Sequence, residues 1–482
     1  MRRLVPGLLL ALLFAWLPAA AQLPPAVSQL LKSANIPQEA LGVVVLRGGD
    51  TVLAHQPQQL MQPASTIKVV TTLVALEQLG PAFRGRTELR TSAPIRQGVL
   101  EGDLVLRGGA DIDLDGATLQ HMLQGLRNLG VERIAGRLVL DRQLFNPSRP
   151  DLTTPPFDED PEAYYNVIPD ALLVNKNVIR LDLRSSAGEL KLQMQPALDR
   201  VSVESNMTLV DADCAGWESG WKAPQIVREN AGRLRIVLQG TYPKNCVQSD
   251  SINVLDRQDY VDRLFRALWA QVGGSIDGET VEGATPPNAR QLAEHVARAL
   301  PETVRDTNKI SDNALARTLF LSLGSLEYDD WLGSKPARPS AEPTAVRADR
   351  AVRTWLRGQG IDDAGIVLEN GSGLSRIEKI SPMQLAQVLR AGLASRWAPE
   401  FVSSLPIAAL DGTMRRRLKE SPAALRARLK TGGLRNVVAL AGYVPDAAGR
   451  QCVVVAIINH ERPGGNGRAV LDALVDWVAR LP

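Results

Sequence analysis

Three short polar motifs stand in order along this chain, and they must meet in space if they act together: Ser65-Thr66-Ile67-Lys68, Ser311-Asp312-Asn313 and Lys430-Thr431-Gly432. That requirement constrains the fold more than any other feature. The first motif opens an apolar stretch over 64–80 that reads as a buried helix. Ile67, Val69, Val70, Leu73, Val74, Leu76 and Leu79 make it apolar nearly all round, and Gly80-Pro81 stops it. The second motif opens a helix over 311–323. The third stands immediately before a strand over 437–444.

The spacing within the first motif has a chemical meaning. Positions i and i+3 of a helix share one face, so Lys68 Nζ reaches Ser65 Oγ. A serine in the first turn also has free backbone N–H groups and the positive dipole end beside it, which favour an anionic intermediate. A lysine ordinarily titrates near ~10.4 and acts as a base only where burial or another cation lowers that value. The apolar helix offers burial, and Lys430 offers the second cation. Asn313 is suited to hold a substrate amide, and Ser311 to relay a proton to a leaving amine.

Each motif alone is weak. Ser219-Gly220-Trp221-Lys222 repeats the S-x-x-K pattern, and residues 33–35 and 251–253 repeat S-x-N. An N-capping serine followed by a solvated lysine gives the same spelling without chemistry. Order and context separate the cases: buried helix start, helix start, strand start. The copy at Ser219 lies in a turn-rich region with no buried helix behind it. Serine acyl-transfer enzymes that use lysine in place of histidine carry this trio.

Competing chemistries lack their residues. The four histidines, His55, His121, His295 and His460, have no metal-ligand spacing with one another or with cysteine. No G-x-S-x-G elbow is present, so a Ser-His-Asp site would have to recruit an isolated histidine. No glycine loop that cradles phosphate precedes a helix. The formal charge of +3, from 55 basic and 52 acidic residues, gives no nucleic-acid footprint. Neither a cofactor nor a metal is called for.

The ends of the chain suggest how the motifs converge. A hairpin is expected at 42–46 and 51–54, strands at 437–444 and 451–458, and an amphipathic helix over 469–481. Both ends therefore build one sheet, with helices at 288–299, 311–323, 345–359 and 382–393 between. Over 87–283 the character changes to short strands (104–107, 137–140, 178–183, 234–238) with helical patches near 118–129 and 257–272. This reads as an insertion carried on a loop. At 482 residues the chain exceeds one ordinary core. The expected organisation is 22–86 with 284–482 as the catalytic unit, 87–184 with 247–283 as an inserted domain, and 185–246 as an inner one.

Arg2 and Arg3 precede an apolar run to Leu17, and small residues end at Ala21, the layout of a cleaved secretory signal over 1–21. No later stretch is long and apolar enough to cross a membrane. The expectation is an exported periplasmic protein with at most peripheral membrane contact. Three cysteines fit that compartment: Cys214 and Cys246 are the pair expected to bridge, and Cys452 sits in an apolar run as a buried thiol.

The chain resembles the low-molecular-mass class C penicillin-binding proteins, the D-alanyl-D-alanine carboxypeptidase/endopeptidase family. The resemblance rests on the three motifs, the long insert between the first two, and several strings. These are Pro63-Ala64-Ser65-Thr66-Ile67-Lys68, Gly102 to Leu106 with Gly109-Ala110-Asp111, Lys309 to Asn313, Asn370 to Arg376, Asp411-Gly412-Thr413 and Leu429 to Leu434. It implies an α/β fold: a transpeptidase-like antiparallel sheet between helix layers, with two nested strand-rich inserted domains. It implies hydrolysis of D-alanyl peptides of peptidoglycan, as terminal trimming or cross-link cleavage, through Ser65 and with inhibition by β-lactams. Backbone N–H groups of Ser65 and Gly433 would hold the oxyanion, and Thr431 with Lys430 the terminal carboxylate. Arg376 would line the stem-peptide pocket, with Asp160 as an acidic contributor and Asp158 close by.

Two residues depart from the family pattern: Gly433 stands where serine is usual, and Asn370 where aspartate is common. Neither removes a catalytic group. A β-lactamase or small-ester hydrolase of the same fold is the alternative. A third reading is a binding protein whose insert docks to envelope proteins; the intact motifs argue against it.

Overall fold

The computed structural model describes residues 22–461 and 463–482. The signal-peptide expectation falls on 1–21, outside the described residues. Both ends of the described chain build one five-stranded antiparallel sheet. Its order is Asp50–His55, Leu41–Arg47, Gln451–Asn459, Val437–Pro445 and Arg428–Leu434. The inner strands are near-continuous apolar runs because both faces are covered. Val44, Val453, Val455 and Ile457 face a core shared with the helices Lys68–Leu79, Asn313–Leu323, Thr344–Gly358 and Pro382–Ala394. Alternate residues, Val43, Val45, Val454 and Ile458, face a second core under Pro25–Ser33 and Gly464–Ala479. The period-two alternation of side chains thus places one sheet between two helix layers.

The chain between Leu79 and Leu300 is strand-rich. A five-stranded sheet runs in the order Thr280–Glu282, Leu138–Asp141, Leu104–Gly109, Arg86–Thr91 and Arg290–Val296. Further along, Val201–Ser205 and Thr208–Val210 pair in parallel with Leu234–Pro243, and Trp221–Arg228 pairs antiparallel with it. Cys214 and Cys246 form a disulfide there, and Cys452 is a buried free thiol in the central sheet. A separate apolar cluster, including Leu106, Leu181, Ile236 and Phe265, supports the insert. Among the described residues no helix is long and apolar enough to cross a membrane.

Four expectations need correction. Residues 288–299 do not form a helix: Arg290–Val296 is a strand paired with Arg86–Thr91, and the helix begins at Leu300. Alanines gave the segment helix propensity, but cross-strand pairing prevails, with Arg86 Nη1 2.6 Å from Glu294 Oε1. Pro301 then fixes the start of the following helix. The helix expected over 64–80 is split: Ala64–Ile67 is a 3₁₀ turn and the α-helix is Lys68–Leu79. The second motif's helix starts at Asn313, with Asp312 as its N-cap. The third motif lies inside its own edge strand, Arg428–Leu434, rather than ahead of one.

Candidate active site

Four segments converge on Ser65. The residue sits in the 3₁₀ turn Ala64–Ile67, beside the buried head of Lys68–Leu79. Lys68, fully buried, donates from Nζ to Ser65 Oγ at 3.0 Å, to Asn313 Oδ1 at 2.7 Å and to the Ser372 carbonyl at 2.5 Å. Lys68 and Asn313 are 245 positions apart in sequence, so this contact alone closes the insert's loop. Three acceptors leave the Lys68 amine one defined place. Burial lowers its pKa from the ordinary 10.5 to about 7, and the carboxylates of Asp312 and Glu378 oppose that shift.

Lys430 is the second buried amine. Its Nζ donates to Ser311 Oγ and to the Thr431 carbonyl, both at 2.8 Å. Burial first, and the charge of Lys68 second, push its pKa well below the lysine range. Of the two causes expected at Lys68, burial dominates as anticipated, whereas the cation that lowers it further is the buried Arg317 and not Lys430.

The second motif is held from both sides. Asp312 caps its helix by accepting from Leu315 N at 2.9 Å and takes Lys176 Nζ at 2.6 Å. Ser311 adopts φ 64°, a left-handed conformation that non-glycine residues avoid and that clusters at functional sites. Asn313 Nδ2 donates to the Tyr165 carbonyl at 3.1 Å, so a loop of the insert reaches the site through its backbone.

The edge strand Arg428–Leu434 passes close over the serine turn. A Cβ at Gly432 would lie 2.7 Å from the Pro63 carbonyl and 3.1 Å from Ser65 N. Gly433, one residue on, is exposed with open space where a Cβ would point. Serine and glycine are therefore sterically equivalent at 433. Thr431 Oγ1 lies 2.8 Å from Thr413 Oγ1, which ties the Asp411-Gly412-Thr413 string to the same strand.

Sequence reasoning did not single out Glu378, Ser372, Thr413, Tyr165 or Arg317 individually. Glu378 is buried, and its Oε1 accepts from the backbone of Glu369, Asn370 and Gly371 at 3.1, 3.0 and 2.9 Å. That carboxylate fixes the loop whose Ser372 carbonyl receives Lys68. Burial raises its pKa while the three N–H groups oppose the rise. A glutamate following a glycine-rich string was the available signal. Asn370, the departure noted above, accepts from Ser372 N at 2.9 Å and donates to the Leu374 carbonyl at 3.0 Å.

Beyond Ser372 opens a cleft of about 410 Å³, lined in part by Asn370, Leu374, Arg376 and Phe157. Arg376 stacks over the Phe157 ring at 4.4 Å. Asp158 and Asp160 stand in sequence between the lining residues Phe157 and Pro161, and they differ. Asp158 accepts from Tyr165 Oη at 3.0 Å and Asn166 Nδ2 at 2.7 Å. The Asp160 side chain is exposed and makes no hydrogen bond among the described residues, while its carbonyl accepts from Asn166. The repeated motif at Ser219 is not part of this site: Ser219 Oγ donates to the Gly216 carbonyl on the surface.

Comparisons place this arrangement among known proteins. The family model for the D-Ala-D-Ala carboxypeptidase 3 (S13) family matches residues 23–481. A D-alanyl-D-alanine carboxypeptidase DacB of Haemophilus influenzae is 27% identical, covering 83% of this chain and 80% of the relative. A D-alanyl-D-alanine carboxypeptidase of Actinomadura is 26% identical, covering 93% and 82%. The crystal structure of penicillin binding protein 4 from Haemophilus influenzae superposes with a TM-score of 0.75 at 23% identity, covering 94% of this chain and 99% of that one. Another structure of that protein holds a β-lactam, with a TM-score of 0.71 at 24% identity, covering 93% and 97%. With the three motifs folded onto one serine and the family match running nearly end to end, the chain belongs to the D-Ala-D-Ala carboxypeptidase 3 (S13) family of serine enzymes.

Proposed function

We propose that Ser65 is the nucleophile of an exported D-Ala-D-Ala carboxypeptidase and DD-endopeptidase of peptidoglycan, acting through an acyl-enzyme. The observation that carries this reading is the buried Lys68 amine, 3.0 Å from Ser65 Oγ and with a pKa near neutrality. Neutral Lys68 takes the hydroxyl proton as Oγ bonds to the carbonyl carbon between two D-alanines. Backbone N–H groups of Ser65 and Gly433 receive the charge on the carbonyl oxygen. The C–N bond then breaks, and the proton returns to the leaving amine through Ser311 Oγ, which Lys430 holds at 2.8 Å. Water next attacks the ester and gives a proton to Lys68; as the ester C–O bond breaks, Lys68 returns that proton to Oγ, which regenerates the serine and the neutral amine.

Thr431, with Lys430 behind it, binds the terminal carboxylate, and Asn313 the peptide amide. Arg376 and Asp160 border the stem-peptide cleft. Cross-link cleavage uses the same centre with a longer leaving group. The Haemophilus protein's complex with a β-lactam supports the same ligand class here, with the strained amide acylating Ser65. Export to the periplasm is supported by the Cys214–Cys246 disulfide, which belongs to oxidising compartments. The test is release of D-alanine from a D-Ala-D-Ala pentapeptide. The wild type releases it and Ser65→Ala does not; equal release by both removes Ser65 from the mechanism.

A further inference from the structure

A second groove, about 820 Å³ in volume, opens between the insert's five-stranded sheet and the segment 325–347. Its size falls within the ~300–1,000 Å³ of clefts that hold small ligands. Arg86, Arg90, Arg107, Lys335, Arg338 and Arg347 line it. The acidic groups on its walls are already engaged. Glu88 is shared by Arg90 and Arg107, Glu294 takes Arg86, and Asp141 accepts from Thr285 and Gln143 backbone N–H groups. Arg338 and Arg347 have no carboxylate partner among the described residues. The Nε atoms of Arg86 and Arg347 are buried with no acceptor among the described residues. The groove therefore carries unspent positive charge and donors.

A hairpin at the rim adds an aromatic platform. Its short strands are Leu326–Glu327 and Lys335–Pro336, and its tip presents Trp331 with 92% of its surface exposed. The tip is firmly held. Asp329 Oδ1 accepts from Trp331 N at 3.0 Å and Leu332 N at 2.8 Å, and Ser334 Oγ donates to the Arg84 carbonyl at 2.7 Å. Arg86 donates to the carbonyl of Leu332, which itself lines the groove. At Gly333, φ is +77° and a Cβ would stand 2.7 Å from the Ala82 carbonyl, so the close approach needs glycine. A rigid turn that keeps an indole in water is costly unless something covers it.

We propose that this groove, with Trp331 at its rim, seats a glycan strand of the polymeric substrate with its acidic stem peptides. The inference rests on the peptidoglycan reading above. The C–H face of a pyranose ring is apolar and slightly positive and matches the negative face of an indole. Carboxylates of uncut stem peptides pair with the free guanidinium groups. The groove lies away from Ser65: Tyr328 of the hairpin packs 3.5 Å from the Cβ position of Gly80, at the far end of the helix that Lys68 begins. Twelve helical residues span ~18 Å, so the polymer is held apart from the bond that is cut.

The test uses the full-length mature protein carrying Ser65→Ala, so that binding is read without turnover, sedimented with purified peptidoglycan sacculi. Adding Trp331→Ala or Arg338→Glu is expected to weaken binding at least about fivefold, the lower bound for removing an aromatic anchor. Trp331→Tyr is expected to retain most of it. Glycan oligomers stripped of peptide are expected to compete. Unchanged binding in both variants, or competition by free stem peptides alone, overturns the glycan seat. With Ser65 intact, Trp331→Ala is expected to react with penicillin at the wild-type rate. Absence of penicillin reaction in the wild type would strike the catalytic reading and leave the sedimentation result standing.

Discussion

Gly432 approaches Ser65 so closely that a methyl group on its α-carbon would lie 3.1 Å from the Ser65 amide nitrogen and 2.7 Å from the Pro63 carbonyl. The third motif is therefore fixed by steric contact with the first as much as by the chemistry of Lys430. Gly432→Ala is expected to push the edge strand off the serine turn and slow acylation by penicillin at least about tenfold, because misplacement near 1 Å costs that much or more. Gly433→Ser meets open space and is expected to stay within about twofold of wild type. Stopped-flow acylation of both variants checks the pair.

Lys68 sets the pH dependence. Its pKa falls from 10.5 to about 7 on folding, and its neutral form is the base of the proposed mechanism. kcat/KM is expected to rise with pH through about 7 and then level. Stability follows the same group with a definite sign. Between about 7 and 10.5 the unfolded chain binds a proton that the folded chain has released, so this group's contribution to stability grows as pH rises through that window. Below about 7 both states are charged and the full burial penalty applies. Lys68→Met is thus expected to stabilise the protein most at pH 6 and progressively less toward pH 10, read by denaturant unfolding.

Glu378 has no reaction to perform, yet it holds the Ser372 loop through three backbone N–H groups. Glu378→Ala leaves those donors buried and unpaired, each costing about 1–3 kcal/mol. The variant is expected to lose several degrees in Tm. It should also acylate slowly, because the carbonyl that orients Lys68 is no longer fixed. Calorimetry together with penicillin labelling separates the two effects. Full labelling at a lowered Tm would make the residue merely structural.

The disulfide takes no part in this chemistry. Cys214 and Cys246 are 32 positions apart, and closing such a loop is worth about 3–4 kcal/mol in the chain-entropy picture. Cys214→Ser with Cys246→Ser is expected to lower the melting temperature of the insert while the acylation rate at Ser65 stays within about twofold.

Much of this was legible in the primary structure, for physical reasons. The apolar run at 437–444 is covered on both faces, so composition announced it, and the hairpin at 42–54 announced its neighbour. The contact of Lys68 with Ser65 was legible because positions i and i+3 share a helix face, and the order of the motifs pointed to the meeting of Asn313 with the same amine. What escaped depends on tertiary contact. Residues 288–299 carry helix formers, but their partner strand lies at Arg86–Thr91, so pairing decided their state. The positive φ of Ser311 and the grip of Glu378 on Ser372 arise only once distant loops meet. Tyr165 contributes a carbonyl, which no side-chain motif encodes.

The most direct measurement is mass mapping of the protein after brief exposure to benzylpenicillin. A serine–lysine mechanism requires one covalent adduct, on the peptide containing Ser65. It should be absent in Ser65→Ala and formed at least about a thousandfold more slowly in Lys68→Ala, since loss of a catalytic base costs that order. An adduct on any other residue, or undiminished acylation without Lys68, contradicts it.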